Sequence, residues 1–257
     1  MSQLISLVRW EYFRQARKPS FLVLYGLAML LAVLPLSFGV MQFLEVIPLP
    51  LTSGFLQLAS GVLWVVSPVL AVITVAFVHA SDLQGGYCRT LTAKGATRDT
   101  VLTSKALLTI TLMLTFHLVV LALALVLTVA LSAGWDGIGT DLASIGASFL
   151  NTLLYGAFAM VLSYWRQSFA FTVGMGITAI FLEAIAYPLA GILGELLGWP
   201  ISSITSWTMW GIAQGLQGES ALLDSAWFVP IAAGYTAALV GLSVLAFRKF
   251  DLRAGSD

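Results

Sequence analysis

The sequence predicts an all-α integral membrane protein with six transmembrane helices, and three observations carry that expectation. Of 257 residues, 59% are hydrophobic and only 9% charged, against about a quarter charged in soluble domains. Apolar runs long enough to cross a ~30 Å hydrocarbon core recur from end to end, and the mean hydropathy is +0.96. The charges are also divided. With six crossings and both termini on one side, Arg9, Arg14, Arg17, Lys18, Arg89, Lys94, Arg98, Lys105, Arg166, Arg248, Lys249 and Arg253 share that side. The opposite loops hold Glu45, Asp136, Asp141, Glu195, Glu219 and Asp224. The positive-inside rule makes the basic side, with both termini, cytoplasmic.

Residues 1–257 read as one transmembrane domain. Residues 1–20 form an interfacial helix, best developed over 4–18, in which Ile5, Val8, Tyr12 and Ala16 share a face and basic residues reach lipid headgroups. Its charges, from Arg9 to Lys18, exclude a cleavable signal. The first crossing is Phe21 to Phe43, with Pro35 able to kink it. Glu45 to Ser53 is a turn. Phe55 to Ala80 is the second crossing, with Pro68 near its middle and His79 as a boundary residue. Ala106 to Leu131 is the third, and Ala133 to Asp141 a short loop. Leu142 to Tyr164 and Ser168 to Leu193 are the fourth and fifth. Ala226 to Phe247 is the sixth. Residues 196–225, rich in Gly, Ser and Trp, are too broken to cross and are expected to dip into the outer interface, where Trp207 and Trp210 fit.

Between the second and third crossings lies a polar segment, residues 81–105. Tyr87 to Ala93 forms a short helix after Gly85-Gly86, Gly95 closes it in the left-handed conformation, and Thr97 caps the third crossing with Asp99 in its first turn. Two spans carry stripes of small or polar residues. On the second they include Ser60, Trp64 and Ser67, on the fifth Thr172, Gly176, Ala179 and Glu183. Such stripes favour close helix approach, so they face protein or a cavity instead of lipid. Glu183 is the one carboxylate within a span and a functional candidate on that ground; the competing reading has it hydrogen-bonded, helping to pack the outer segment. His117 more simply bonds a neighbouring helix.

Chemistry of its own is not expected. Phosphate-loop, paired-histidine metal and nucleophile-elbow motifs are absent. One cysteine, Cys88, and two histidines are too few for a zinc or redox centre. No cofactor, metal, catalytic role or nucleic-acid partner is anticipated.

The segment Asp82 to Lys105 resembles the cytoplasmic loop of type-2 ABC transporter permeases: an acid, Gly86, Leu91 in the short helix, Thr97-Arg98, then Lys105 entering the third span. Tyr87 stands where that family usually has Thr, and Ser104 where it has Gly. The resemblance extends to the basic N-terminal helix with Glu11 and Arg14, the six spans, the broken outer segment and the ending Arg248-Lys249-Phe250-Asp251. It implies a permease in a bacterial cell (inner) membrane that pairs with a second permease chain, identical or related. Each permease would sit on an ABC ATPase subunit carrying ATP-Mg. Residues 83–95 would be the coupling helix within the coupling loop 81–105, with Asp82, Tyr87, Arg89, Leu91, Lys94 and Arg98 contacting the ATPase. Residues 196–225 would be the outer re-entrant segment. The second and fifth spans would line the pathway or dimer interface, and export is that family's usual direction. The apolar stripes suit a lipid, drug or hydrophobic peptide. The alternative is a stand-alone ion-coupled carrier or channel using Glu183 and His117; an intramembrane enzyme lacks a paired catalytic set.

Overall fold

A computed structural model of the chain describes residues 2–44, 54–131, 137–198, 205–218 and 225–249. Every regular element among them is helical. In order they are α1 (Ser2–Ala16), α2 (Pro19–Phe43), α3 (Phe55–Val75), a π-helical turn (Ala76–Ala80), α4 (Ser81–Gln84) and α5 (Tyr87–Ala93). Then come α6 (Arg98–Ala130), α7 (Ile138–Arg166), α8 (Phe169–Leu197), α9 (Met209–Leu216) and α10 (Ser225–Lys249). Among the described residues six helical runs are long and apolar enough to cross a membrane: Pro19–Phe43, Phe55–Gln84, Arg98–Ala130, Ile138–Arg166, Phe169–Gly194 and Ala226–Arg248. They match the six expected crossings one for one. The protein is a multi-pass, all-α membrane protein.

The boundaries differ where polar residues continue a helix. The π turn carries the second crossing straight into α4, and α6 begins at Arg98, well before the expected Ala106. Residues 81–105 are therefore not one loop. Only α5 and its flanking turns leave the two long helices. Asp141 likewise lies in the first turn of α7, where the helix dipole favours an acid, and not in a loop. Pro35 and Pro68 sit inside continuous helices. The turn expected over 45–53, the loop residues Trp135 and Asp136, and Trp199, Glu219 and Asp224 fall outside the described residues, as does the basic ending beyond Lys249.

Layering follows from side-chain size. In α3 and α7, 67% of the membrane-crossing window is buried, against 22% in α2 and 17% in α8 and α10, so α3 and α7 form the central pair. Small residues permit this. A Cβ on Gly176 of α8 would stand 2.5 Å from Val72 Cγ1 of α3, and one on Gly156 of α7 would stand 2.8 Å from Met113 Cε of α6. Around this pair Ala32, Leu36, Leu63 and Phe116 fill one end of the core. Val72, Cys88, Tyr155, Tyr164 and Phe247 fill the other. The outward faces stay apolar, with Leu22, Val65, Phe181 and Leu196 among many exposed side chains, as lipid-facing surfaces require.

Candidate functional site

The feature that sets this chain apart is a cluster of charges sealed inside the α5 end of the bundle. Glu11 of α1 is 0% exposed, Asp82 of α4 3% and Lys105 of α6 1%. Arg14 joins the two acids: its Nη1 donates to Asp82 Oδ1 at 2.9 Å, its Nη2 to Asp82 Oδ2, and Nη2 and Nε to Glu11 Oε2 at 2.8 and 3.1 Å. Lys105 Nζ donates to Asp82 Oδ2 and, at 3.0 Å, to the Val78 carbonyl, and lies 3.7 Å from Glu11 Oε1. Lys18 Nζ is 3.5 Å from Asp82 Oδ1. Isolated charges at this depth would each cost several kcal/mol, so such groups survive only when paired and hydrogen-bonded. Burial alone would lower the Arg14 pKa, but the hydrogen bonds and charge of Asp82, with Glu11 behind them, carry it above its ordinary value. Lys18 is lowered, since burial outweighs its attraction to Asp82.

This brace fixes α5 from behind. Tyr87, first residue of α5, stacks on Trp10 with ring centroids 5.9 Å apart, and the Arg14 guanidinium lies 3.9 Å from the Tyr87 ring centroid. Burial and the Glu11 carboxylate push the Tyr87 phenol above its usual range. Cys88 is the buried residue of α5, and burial lifts its thiol to about 11. The helix-turn itself is as expected. Gly86 and Gly95 take φ of 70° and 92°, and the Thr100 N–H donates to Thr97 Oγ1 at 3.2 Å.

The expected contact residues therefore divide. Arg89 and Lys94 are exposed, Tyr87, Leu91 and Arg98 partly so. Asp82 is not available to a partner, and its expected place on a contact surface is corrected: three cations draw its carboxylate inward. Arg98 Nη1 donates to the Arg248 carbonyl at 3.3 Å, and Arg248 in turn grips Asp99 with Nη2 bonds of 3.1 and 3.0 Å. The start of α6 is thus tied to the end of α10. These contacts gather Arg14, Lys18, Asp82, Lys105, Asp99 and Arg248 at one end of the bundle, as alternating crossings demand.

His79 is not a boundary residue. It is 0% exposed, with Nδ1 bonded to Tyr164 Oη and Nε2 3.1 Å from Thr109 Oγ1. The Thr109 hydroxyl donates to the Lys105 carbonyl, so His79 Nε2–H is the donor to Thr109. The imidazole thus links the π turn to α6 and α7. Nearer the bundle centre, His117 Nδ1–H donates to the Met113 carbonyl at 3.0 Å, leaving Nε2 3.4 Å from Thr152 Oγ1. Thr152 also donates to Ser67 Oγ at 2.6 Å. His117 bonds a neighbouring helix, as expected of a lone histidine.

The small-residue stripes are used within the chain. Ser60 donates to the Gln57 carbonyl, and Trp64 packs with Leu154, Ile212 and Phe228. Thr172 Oγ1 lies 3.3 Å from Ser163 Oγ, and Gly176 seats Val72. Ala179 is half-buried. With the exception of Ala179 and Glu183, the expected pathway residues are buried against this chain's own helices and do not line an open path. Glu183 accepts from Tyr155 Oη and from the Trp210 N–H, each at 3.0 Å. It therefore pins the N-terminus of α9 to α7 and α8, where the helix dipole favours a carboxylate. This is the packing reading of Glu183. Tyr235 Oη adds a bond to the Trp207 carbonyl at 3.1 Å.

Sequence reasoning missed the burial of Glu11, Gln15 and His79. The available signals were the Glu11-Arg14 pair one turn apart and a histidine sharing a helix face with Asp82. No curated protein matches the chain. Residues 22–253, from the start of α2 to beyond α10, match the family model described as protein of unknown function (DUF2705). A match over all six crossings makes the chain a member of that family.

Proposed function

We propose that this chain is the membrane-spanning permease subunit of an ATP-driven ABC exporter. It would pair with a second permease chain and be driven by separate ATPase subunits that bind ATP-Mg. The observation that carries this reading is the construction of α5. A segment serving only to join two spans needs neither a buried ion cluster behind it nor outward cations in front. Here the brace of Glu11, Arg14, Asp82 and Lys105 couples any push on α5 to α1, α4 and α6 at once. In this reading α5 is the coupling helix, Arg89, Leu91, Lys94 and Arg98 meet the ATPase, Tyr87 transmits to α1, and Asp82 holds the lever from inside.

The remaining assignments follow from it. The α5 end is cytoplasmic in a bacterial inner membrane, because the basic residues gather there. The chain carries out no catalysis, and ATP is hydrolysed by the partner. α9 is the outer re-entrant segment, held by Glu183. The exposed apolar faces of α2, α8 and α10 remain for lipid, cargo or the second chain, which suits a hydrophobic or amphipathic substrate. The carrier reading has less support, since Glu183 and His117 are each engaged by neighbouring helices.

Co-expression with candidate ABC ATPases, followed by purification on a tag borne by this chain, tests the proposal. Retention of one ATPase, lost in an Arg89→Glu/Lys94→Glu variant that still inserts and folds, is expected. An ATPase that never copurifies, or one retained equally by the variant with unchanged ATP turnover, would overturn it.

A further inference from the structure

α1 is turned inside out relative to a soluble amphipathic helix. It buries Glu11 and Gln15 against the protein and exposes Ile5 at 64%, Phe13 at 51% and Tyr12 at 40%. Apolar side chains directed away from the protein fit a helix whose surroundings are acyl chains and headgroups. Beneath that outward face the structure leaves a cavity of about 440 Å³ between α1 and α6, lined by Ile5, Val8, Tyr12, Leu107 and Thr111, with Arg9 at its edge. This volume lies in the range of small-ligand sites. Leu107 is exposed, and Thr111 spends its hydroxyl proton on the Leu107 carbonyl, so these α6 side chains offer no free hydrogen-bond donor. On the other side of Phe13 a groove of about 450 Å³ is lined by Trp10, Phe13, Arg14 and Arg17.

Charge identifies the occupant. The charged groups around α1 are the cations Arg9, Arg14, Arg17, Lys18 and Lys105 and the carboxylates Glu11 and Asp82. The ion pairs of those carboxylates use Arg14, Lys18 and Lys105. Among the described residues Arg9 and Arg17 have no carboxylate partner. They stand two helical turns apart, about 12 Å, on the same exposed ridge with Phe13 between them. The Arg9 guanidinium lies over the Phe13 ring at 5.8 Å, which leaves its N–H edge free to donate. We infer that this ridge and the cavity beside it form a binding site for an anionic phospholipid: Arg9 and Arg17 take the headgroup phosphate, and an acyl chain lies against Val8, Tyr12, Leu107 and Thr111. The inference rests on the membrane-spanning fold and not on the ATPase reading, so either can fail without the other.

Native mass spectrometry of the detergent-purified full chain tests it, with dioleoyl phosphatidylglycerol and dioleoyl phosphatidylcholine as probes. Phosphatidylglycerol should be retained in preference. A surface cation near an anionic headgroup contributes about a fivefold gain in binding, so Arg9→Gln and Arg17→Gln should each weaken retention about fivefold and together roughly thirtyfold. Arg9→Lys should keep most of it. Thr111→Phe, which fills the crevice without changing charge, should weaken it as well; Leu107→Trp, from the exposed side of the same crevice, replaces it if that variant misfolds. Equal retention of the two lipids overturns the inference, as does a double arginine variant that binds normally. Full displacement by inorganic phosphate with silent crevice variants would reduce the site to a simple anion site and overturn it too.

Discussion

Lys105→Met removes one of the two cations that touch both buried carboxylates while keeping most of the side-chain volume. Glu11 would retain only Arg14, and Asp82 would retain Arg14 and Lys18, while the Val78 carbonyl would lose its 3.0 Å donor. Breaking a buried pair by removing one partner costs about 3–5 kcal/mol. Asp82 keeps two cations, so the lower end applies: about 3 kcal/mol, or roughly a hundredfold in the folding equilibrium. Reversible unfolding in mixed micelles, followed by tryptophan fluorescence, would measure it. Asp82→Asn/Lys105→Met should cost less than the sum of its single changes by at least ~1 kcal/mol, because the double variant removes opposite charges that face each other. A single-variant cost below ~1 kcal/mol, or strict additivity, would refute the view that these charges brace the loop end.

Three further outcomes follow from the same geometry. Glu183→Ala strands the Tyr155 hydroxyl and the Trp210 N–H, at a cost of about 1–3 kcal/mol. A cysteine introduced by Ile212→Cys, at a site 0% exposed, should then become open to maleimide, whereas Glu183→Gln, which keeps an acceptor oxygen, should leave it protected. Gly176→Ala forces a methyl to within 2.5 Å of the stiff Val72 side chain; about 1–3 kcal/mol should be lost, with most recovered by adding Val72→Ala, as read by thermal aggregation of the purified protein. Cys88, raised from 9.0 to about 11, keeps its proton in the folded state after the unfolded chain has lost it. Stability should therefore fall as pH rises from 9 towards 11, and Cys88→Ala should flatten that slope in pH-dependent unfolding curves.

The crossings were legible because lipid imposes a simple rule: about twenty apolar residues, with every backbone group satisfied inside the helix. Their ends were not. Asp82, Arg98 and Lys105 are polar and read as loop, yet a helix can carry polar residues as far as its neighbours supply partners. Lys105 finds Asp82 and Val78, and α6 starts at Arg98 as a result. The cap at Thr97 was legible from residue type alone, since a short side-chain oxygen before an acidic first turn has one favourable geometry. The direction in which a polar side chain points was not. Asp82 and Arg89 sit in the same stretch, and only the arrival of α1, sixty-eight positions earlier than Asp82 in the case of Arg14, decides that one turns inward and the other outward.

That long-range contact also explains why α1 has an interrupted amphipathic pattern. Two different surroundings act on it. Towards the protein it must complete an ion cluster, which selects Glu11 and Arg14. Towards the membrane it must offer aromatic and aliphatic surface with cations at headgroup depth, which selects Ile5, Tyr12, Phe13, Arg9 and Arg17. A helix satisfying both has charge on two faces and apolar groups on the side a soluble protein would hide. Reading α1 against one solvent makes Trp10 and Phe13 look misplaced. With acyl chains on one side and buried carboxylates on the other, Trp10 stacks on Tyr87 and Phe13 stands between Arg9 and Arg17, so each aromatic sits where one of the two surroundings needs it.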